Sequence, residues 1–473
     1  AAALGGAAAL AASGRGGPAF ALAFTGEGSG VGGVGNAALA VGLAVFYAVV
    51  AKTSWTLDAQ EATAGDPAPP PEGQKKPRID AFDSLRFFLI AYIASGHFIA
   101  TATRHRLVLG LVTQINVVVG AFFVLSGYVA AYTTTELGKR QGSKRLDNSV
   151  EFAVSRIMGF WPLHMLLLVL FFPMFFWVDA SFSGVFTASW NAFLSTALLQ
   201  AWFPLSAEVW NAPTWFLSAF SFALFALPYA LRVLAVQKKT ELRKALAFLT
   251  VLALVPRLSY TYDLRAWGIM EGMMSAGTHP NYALFNAVRF SPFAALLEVL
   301  MGAVACRLVM LDAGREAEKA GSAATLLAAM LAVLGLRAVG VIQLNDMMVR
   351  SVIFIPLWIA FLMRIHRETV CPGGPKLLPK LLCNSKLQYL GGISFPIFIA
   401  HGPIGQLFYK KAVVMKIWGG PLSTPLPNGV HWFFGVYWMV VLVASALLNK
   451  YFMGSKTVQG VSKKMTAAIL KVL

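Results

Sequence analysis

The sequence predicts an all-α fold, a polytopic membrane helix bundle. Three observations lead there. Hydrophobic residues make up 57% of the 473 residues, while charged residues reach only 13%, against about 25% in soluble globular chains. Mean hydropathy is +0.66. Apolar stretches of spanning length recur from residue 84 to residue 449. So few charges cannot cover a water-facing surface, which excludes a soluble enzyme, a disordered chain and a nucleic-acid-binding module. Ten-residue segments of alternating polarity are absent, which excludes a β-barrel.

The chain opens AAALGGAAALAASG without an initiator Met, as expected of a trimmed chain or one whose targeting peptide has been removed. Residues 1–35 are Ala/Gly-rich and offer little side chain to pack, so order there would come from a protein partner. Residues 36–51 form one apolar run, just long enough to span a bilayer or lie shallow in it. Residues 66–78 read DPAPPPEGQKKPR, and consecutive prolines favour extended polyproline II over helix. The expected organisation is an N-terminal segment with a single anchor helix (1–51), a Pro-rich linker (52–77), the membrane body (78–450) and a basic C-terminal tail (451–473).

Within the body, stretches that fit the 17–25 residues of a spanning helix fall near 84–103, 115–135, 157–178, 213–235, 245–262, 290–311, 322–340, 349–365, 391–409 and 430–449. That makes about ten core helices. A further stretch, 186–203, is long enough but carries Ser, Asn, Thr and Gln. The strongest basic loops, 136–156 and 236–244, should share a membrane side. They do so only if 186–203 is re-entrant or interfacial, and then 366–390 and the C-terminal lysines agree with them. Net charge is +18, from 39 Lys+Arg against 21 Asp+Glu, and such loops account for it. Cys306, Cys371 and Cys383 include no close pair, so neither a disulfide framework nor a cysteine-rich metal site is expected. No Asn-x-Ser/Thr sequon occurs.

Ionisable groups deep in a membrane are costly and need a reason. Arg86 and His97 lie eleven residues apart on the first body helix. At 100° per residue that is three turns plus about 20°, so they share one helix face about 16 Å apart. One reading is a track, with a cation at the mouth for phosphate and a titratable base at depth. The other is a snorkelling Arg and a His bonded to a neighbouring helix. Arg156, His164, Glu298, Arg307, Arg337 and His401 are the other intramembrane polar groups; His279 and His431 read as loop or interface residues. Glu298 and Arg307 fall on nearly opposite helix faces and cannot pair along one helix. His401 lies between Pro396 and Pro403, whose broken backbone bonds mark a kink that can line a cavity. G-x-S-x-G, H-E-x-x-H, Walker A and G-x-G-x-x-G patterns are all missing.

RIDAFDSLRFF…GHF (78–98), FFVLSGY (122–128), SRIMGFWPLH (155–164), TWFLSAFSFALFALP (214–228) and LGGISFPIFIAHGPI (390–404) follow one another at natural spacing. Together they resemble the acyltransferase-3 family of multi-pass membrane O-acyltransferases, over about residues 78–450. The resemblance implies the family's core bundle of about ten helices, to which the apolar run 36–51 adds an extra N-terminal helix. It implies acyl-CoA, often acetyl-CoA, as donor substrate and a hydroxyl acceptor such as a sugar or lipid, with no metal and no nucleic acid. It carries over Arg86 and His97 as catalytic residues, and Arg156, Trp215, Ser218 and His401 as substrate-binding ones. Membrane lipids are the expected surroundings.

Three positions depart from the family pattern. Gly159 stands where a second Arg is usual, Val119-Gly120-Ala121 where a polar residue or Pro often precedes the aromatic pair, and Phe220 where Glu often ends the Trp motif. With the processed-looking N-terminus, they motivate an alternative: a catalytically degenerate structural subunit of a large organellar, plastid or photosynthetic, membrane complex. A lipid or sugar-lipid transporter is a third reading, and no inverted repeat supports it.

Overall fold

The structure is a computed structural model that describes residues 76–264, 282–312, 322–342, 344–371 and 374–472. The N-terminal segment, its anchor helix, almost all of the linker and His279 lie outside the described residues. The principal helices are α1 (Ala81–Phe98), α2 (Arg106–Val112), α3 (Gly120–Thr134), α4 (Ser149–Ala197), α5 (Trp215–Val236), α6 (Lys239–Leu264), α7 (Tyr282–Phe290), α8 (Pro292–Leu311), α9 (Ala323–Ala338), α10 (Ile355–Thr369), α11 (Ser385–Gly392), α12 (Ser394–Tyr409), α13 (Phe433–Leu447) and α14 (Lys456–Val472). The fold is an all-α polytopic bundle.

Among the described residues, six helical stretches are long and apolar enough to cross a membrane: Ala81–Thr101, Ser149–Ala197, Ala212–Val236, Phe285–Leu311, Asp346–Thr369 and Phe433–Met453. Arg106–Val118 and Gly120–Thr134, bent by 42°, make a seventh if they count as one span. This is fewer than the ten stretches expected from hydropathy. Helices do form at the three remaining sites: α6 is 26 residues long but carries Lys239, Glu241, Arg243, Lys244 and Arg257 and is not among these spans, and α9 and α12 hold only 16 residues each. That is about 24 Å of helix, short of a hydrocarbon core about 30 Å thick.

The ambiguous stretch 186–203 has a local cause. Gly184 takes φ 84°, ψ 161° inside α4, a backbone that glycine adopts freely, and the chain folds back there. Residues 185–197 then lean on the helix they came from. Asn191 donates to Asp179 at 2.9 Å, the Trp161 indole donates to the Thr196 carbonyl at 3.2 Å, and His164 Nε2 donates to the Ser195 carbonyl at 2.9 Å. This half-helix of about 20 Å ends in 3₁₀ turns before α5 begins, so it does not cross as a simple span.

One end of the bundle gathers the basic loops. The buried Arg307 guanidinium donates to the carbonyls of Glu136 (2.8 Å), Lys139 (2.9 Å) and Ala235 (3.0 Å). These groups lie just beyond the last turn of α3 and in that of α5, and the arginine satisfies them. Asp312, just past α8, pairs with Lys239 and with Arg367. Lys76 donates to the carbonyls of Tyr132 and Thr135, each at 2.7 Å. Loops 136–156, 236–244 and 366–390 therefore lie at the end where α1 starts.

The core is held by close backbone contact and buried charge. A Cβ at Gly127 would come within 1.8 Å of the Val299 carbonyl oxygen, and one at Gly302 within 1.8 Å of that of Val124. Only glycine lets α3 and α8 approach so closely, a packing mode favoured in membranes. Beside that crossing Glu298 is buried between two arginines. Arg257 Nη2 lies 3.1 Å from it and Arg350 Nε 2.8 Å. Arg337 and Asp346 form a second buried pair at 2.6 Å. Removing one partner of a buried pair strands the other charge, at about 3–5 kcal/mol. Glu298→Ala should therefore lower the thermal unfolding midpoint of the detergent-solubilised protein sharply; a midpoint equal to that of the unmutated protein would contradict this role.

Candidate active site

The site starts from α1. Asp83 in its first turn pairs with Arg86 at 2.6 Å and with Arg78 at 2.6 Å. This holds the Arg86 side chain at the basic end of the bundle. Three turns on, in the last turn of α1, His97 meets α12. Its Nδ1 lies 3.0 Å from Nε2 of His401, with the rings 10° from parallel.

Local sequence explains how α12 presents His401. Pro403 has no N–H, so the carbonyl four residues back, that of Ile399, loses its helical partner. Asn211 fills the vacancy, donating to that carbonyl at 2.9 Å. Gly405 gives α1 room: a Cβ there would lie 2.1 Å from the Phe98 ring. The Phe98 ring seats against α12, and the adjacent His97 is brought to His401. From behind, Trp438 of α13 donates to Ser95 at 3.2 Å and Tyr437 donates to the His401 carbonyl at 3.4 Å.

The hydrogen bonds assign the tautomers. His401 Nδ1 lies 3.1 Å from the Ile397 carbonyl, which can only accept, so Nδ1 carries the proton. Neutral His401 is then bare at Nε2 and accepts from His97 Nδ1–H. The lone pair of His97 is left on Nε2, with no hydrogen-bond partner among the described residues.

His97 lines a cavity of about 200 Å³ together with Arg86, Asn116, Trp215, Phe220 and Arg289. Its wall is mostly apolar and aromatic, with Phe122, Phe160, Phe216, Phe395 and Phe398. Such a wall with a few polar groups is the usual make-up of a small-molecule site.

Of the six residues singled out by sequence, Arg86, His97 and Trp215 share this wall, and His401 stands directly behind His97. Two do not join them. Ser218 accepts from the Ala201 N–H at 3.1 Å and borders a second cavity, of about 560 Å³, between α4, α5 and α14. Arg156 stacks on the Phe152 ring at 4.1 Å, outside the first cavity. Phe220, in place of the family's Glu, does line the cavity. At Gly159 a Cβ would meet nothing within 4 Å, so the missing second Arg belongs to an open face of α4. Arg289 and Asn116 escaped sequence reasoning. Arg289 ends a nine-residue helix just before an apolar run and reads there as a loop charge. Asn116 sits inside a predicted span with no charge to mark it. Among the described residues no cluster of three His, Cys, Asp or Glu could hold a metal ion.

A family model described as an acyltransferase domain matches residues 79–413, more than half of the chain and all of the cavity wall. The chain belongs to the acyltransferase-3 family. It is an integral membrane protein and a membrane acyltransferase. No curated protein and no solved structure matches it. As an acyltransferase-3 protein with two directly bonded histidines, it makes a spectroscopic prediction. In ¹⁵N spectra of histidine-labelled protein, His97 and His401 should both appear as neutral Nδ1–H tautomers. His401→Phe should release His97 from that single form; an unchanged His97 signal would refute the assignment.

Proposed function

We propose that the protein transfers an acyl group from acyl-CoA to a hydroxyl acceptor, with His97 as general base. The observation that carries this reading is the hydrogen-bond chain Ile397 carbonyl–His401–His97. It leaves a neutral imidazole with its lone pair on a ring that lines the cavity. Neutral imidazole is the commonest general base near neutral pH.

In the proposed step the acceptor oxygen attacks the thioester carbonyl while His97 Nε2 takes the hydroxyl proton. The tetrahedral adduct collapses, the C–S bond breaks, and the CoA sulfur leaves with the proton from the imidazolium. An ester and free CoA result. His401 is a positioning residue: it accepts from Nδ1–H, fixes the tautomer and the ring plane, and stabilises the imidazolium as it forms. Arg86, at the end where the basic loops gather, holds the donor's phosphates through charge-assisted hydrogen bonds. The aromatic wall excludes water, which limits loss of the acyl group to hydrolysis.

Phe220 in the cavity wall is the observation that favours the alternative, a structural subunit that no longer catalyses. The two readings separate on acyl-CoA turnover. Purified protein with labelled acetyl-CoA and a membrane extract as acceptor source should release CoA. His97→Ala should reduce that release by about 10²–10⁴-fold, the usual worth of a general base, while donor binding and the unfolding midpoint stay put. Full activity in His97→Ala would remove His97 from the mechanism. Neither turnover nor donor binding in the unmutated protein would favour the structural role.

A further inference from the structure

The second cavity, of about 560 Å³ between α4, α5 and α14, takes no part in the mechanism above. Its size is within the range usual for a small-molecule site. No charged side chain lines it, and its polar side chains are largely spent on the backbone. Trp161 donates to the Thr196 carbonyl at 3.2 Å, Ser221 donates to that of Leu217 at 2.7 Å, and Ser218 accepts from the Ala201 N–H at 3.1 Å. What remains is an apolar, partly aromatic surface suited to hydrocarbon. The cavity is open at its side: Leu199, Trp202, Phe225 and Ile469 line it and are 37%, 40%, 42% and 36% exposed. On a membrane bundle so apolar an opening faces lipid rather than water.

One wall of the cavity is α14. The His431 N–H, just before α13, donates to the Ala102 carbonyl at 2.9 Å, beyond the end of α1. Phe433–Met453 is a spanning stretch, so α14 begins at the basic end. There it lies along the start of α4: Ser462 donates to the Met158 carbonyl at 2.7 Å, about 14 Å into that helix. Met465 and Ile469 reach the cavity from the same face of α14. Lys456, Lys463, Lys464 and Lys471 are exposed and point elsewhere, about 100–180° around the helix from Met465. The helix carries no acidic residue. A helix with one apolar face and one lysine face settles at a membrane interface and attracts anionic lipid.

We propose that this cavity binds an acyl chain of an anionic membrane lipid, whose headgroup is held by the lysines of α14. The lining takes the chain, since it offers hydrocarbon contact and no charge. The lysines take the headgroup. Their long stems let the ammonium groups of Lys463 and Lys464, the two residues before Met465, reach round to the rim. Charge selects the lipid: a zwitterionic headgroup sets its own ammonium among four lysines, and an anionic one does not. The site does not rest on the acyltransferase reading, yet it adjoins the catalytic cavity. Trp215, Phe216 and Phe220 of α5 line the first cavity, while Ser221, Phe222 and Phe225 line the second. A bound chain therefore supports the helix that walls the site of transfer.

The test needs no turnover. Full-length protein is placed in phosphatidylcholine nanodiscs, and tryptophan fluorescence is followed as lipid with brominated acyl chains is added, either phosphatidylglycerol or phosphatidylcholine. Trp161 and Trp202 line the cavity, so the share of quenching that disappears in Trp161→Phe/Trp202→Phe is the signal of the site. Brominated phosphatidylglycerol should give that signal saturably, at about one tenth of the mole fraction that brominated phosphatidylcholine requires. Lys463→Gln/Lys464→Gln changes two exposed side chains and should bring the two lipids level. Equal quenching by both lipids in the unmutated protein would overturn the proposal, as would a phosphatidylglycerol preference that survives in the lysine variant. A site signal that never saturates would overturn it too, since it would mean bulk bilayer rather than a bound chain.

Discussion

The contact on which the site depends joins two rings 304 residues apart, His97 at the end of α1 and His401 in the middle of α12. Everything near it serves that approach. Gly405 leaves room for Phe98, Asn211 satisfies the carbonyl that Pro403 orphans, and Tyr437 and Trp438 close the rear. In a low-dielectric interior an unpaired imidazole is costly. Here each ring nitrogen facing protein has one complementary partner, and only the nitrogen left over can do chemistry. A proline inside a helix, a glycine and a hydrogen-bond chain thus combine to point a base at a cavity.

Buried charge gives the frame its rigidity. Glu298 sits between Arg257 and Arg350, and Arg337 pairs with Asp346, which also accepts from Asn116 at 3.1 Å. Asn116 lines the cavity, so the polar core of the bundle reaches the site wall. These groups stay inside an apolar bundle because each carboxylate faces at least one guanidinium, and breaking such a set costs more than forming it gains. Arg307 works differently: it satisfies backbone carbonyls where α3 and α5 end. The same residue types appear in sequence as unexplained intramembrane charges.

How much of this could be read from sequence depends on the distance over which each feature is encoded. Apolar runs located the helices, because hydropathy is local. They overcounted the spans: α9 and α12 hold only 16 residues each, and α6, though 26 residues long, is not among the apolar spans. Arg86 and His97 lie on one helix, so helical periodicity placed them on one face, and both line the cavity. Trp215 came from a motif and lines it too. The pairing of His401 with His97 was not legible, since nothing in either segment encodes the other; only the Pro396/Pro403 kink hinted that His401 faces something. Ser218 and Arg156 sit in motif segments whose other members reach the cavity, yet helix rotation turns them toward α14 and Phe152. Arg289 was hidden by its short helix.

The most direct test of the central claim is chemical rescue. His97→Gly leaves a space the size of the missing ring within a cavity that free imidazole can enter. The account predicts that this variant, inactive alone, regains CoA release from acetyl-CoA as imidazole is added, in a saturable manner. A folded, donor-binding His97→Gly protein that imidazole fails to revive, beside an active unmutated protein, would contradict His97 as the base.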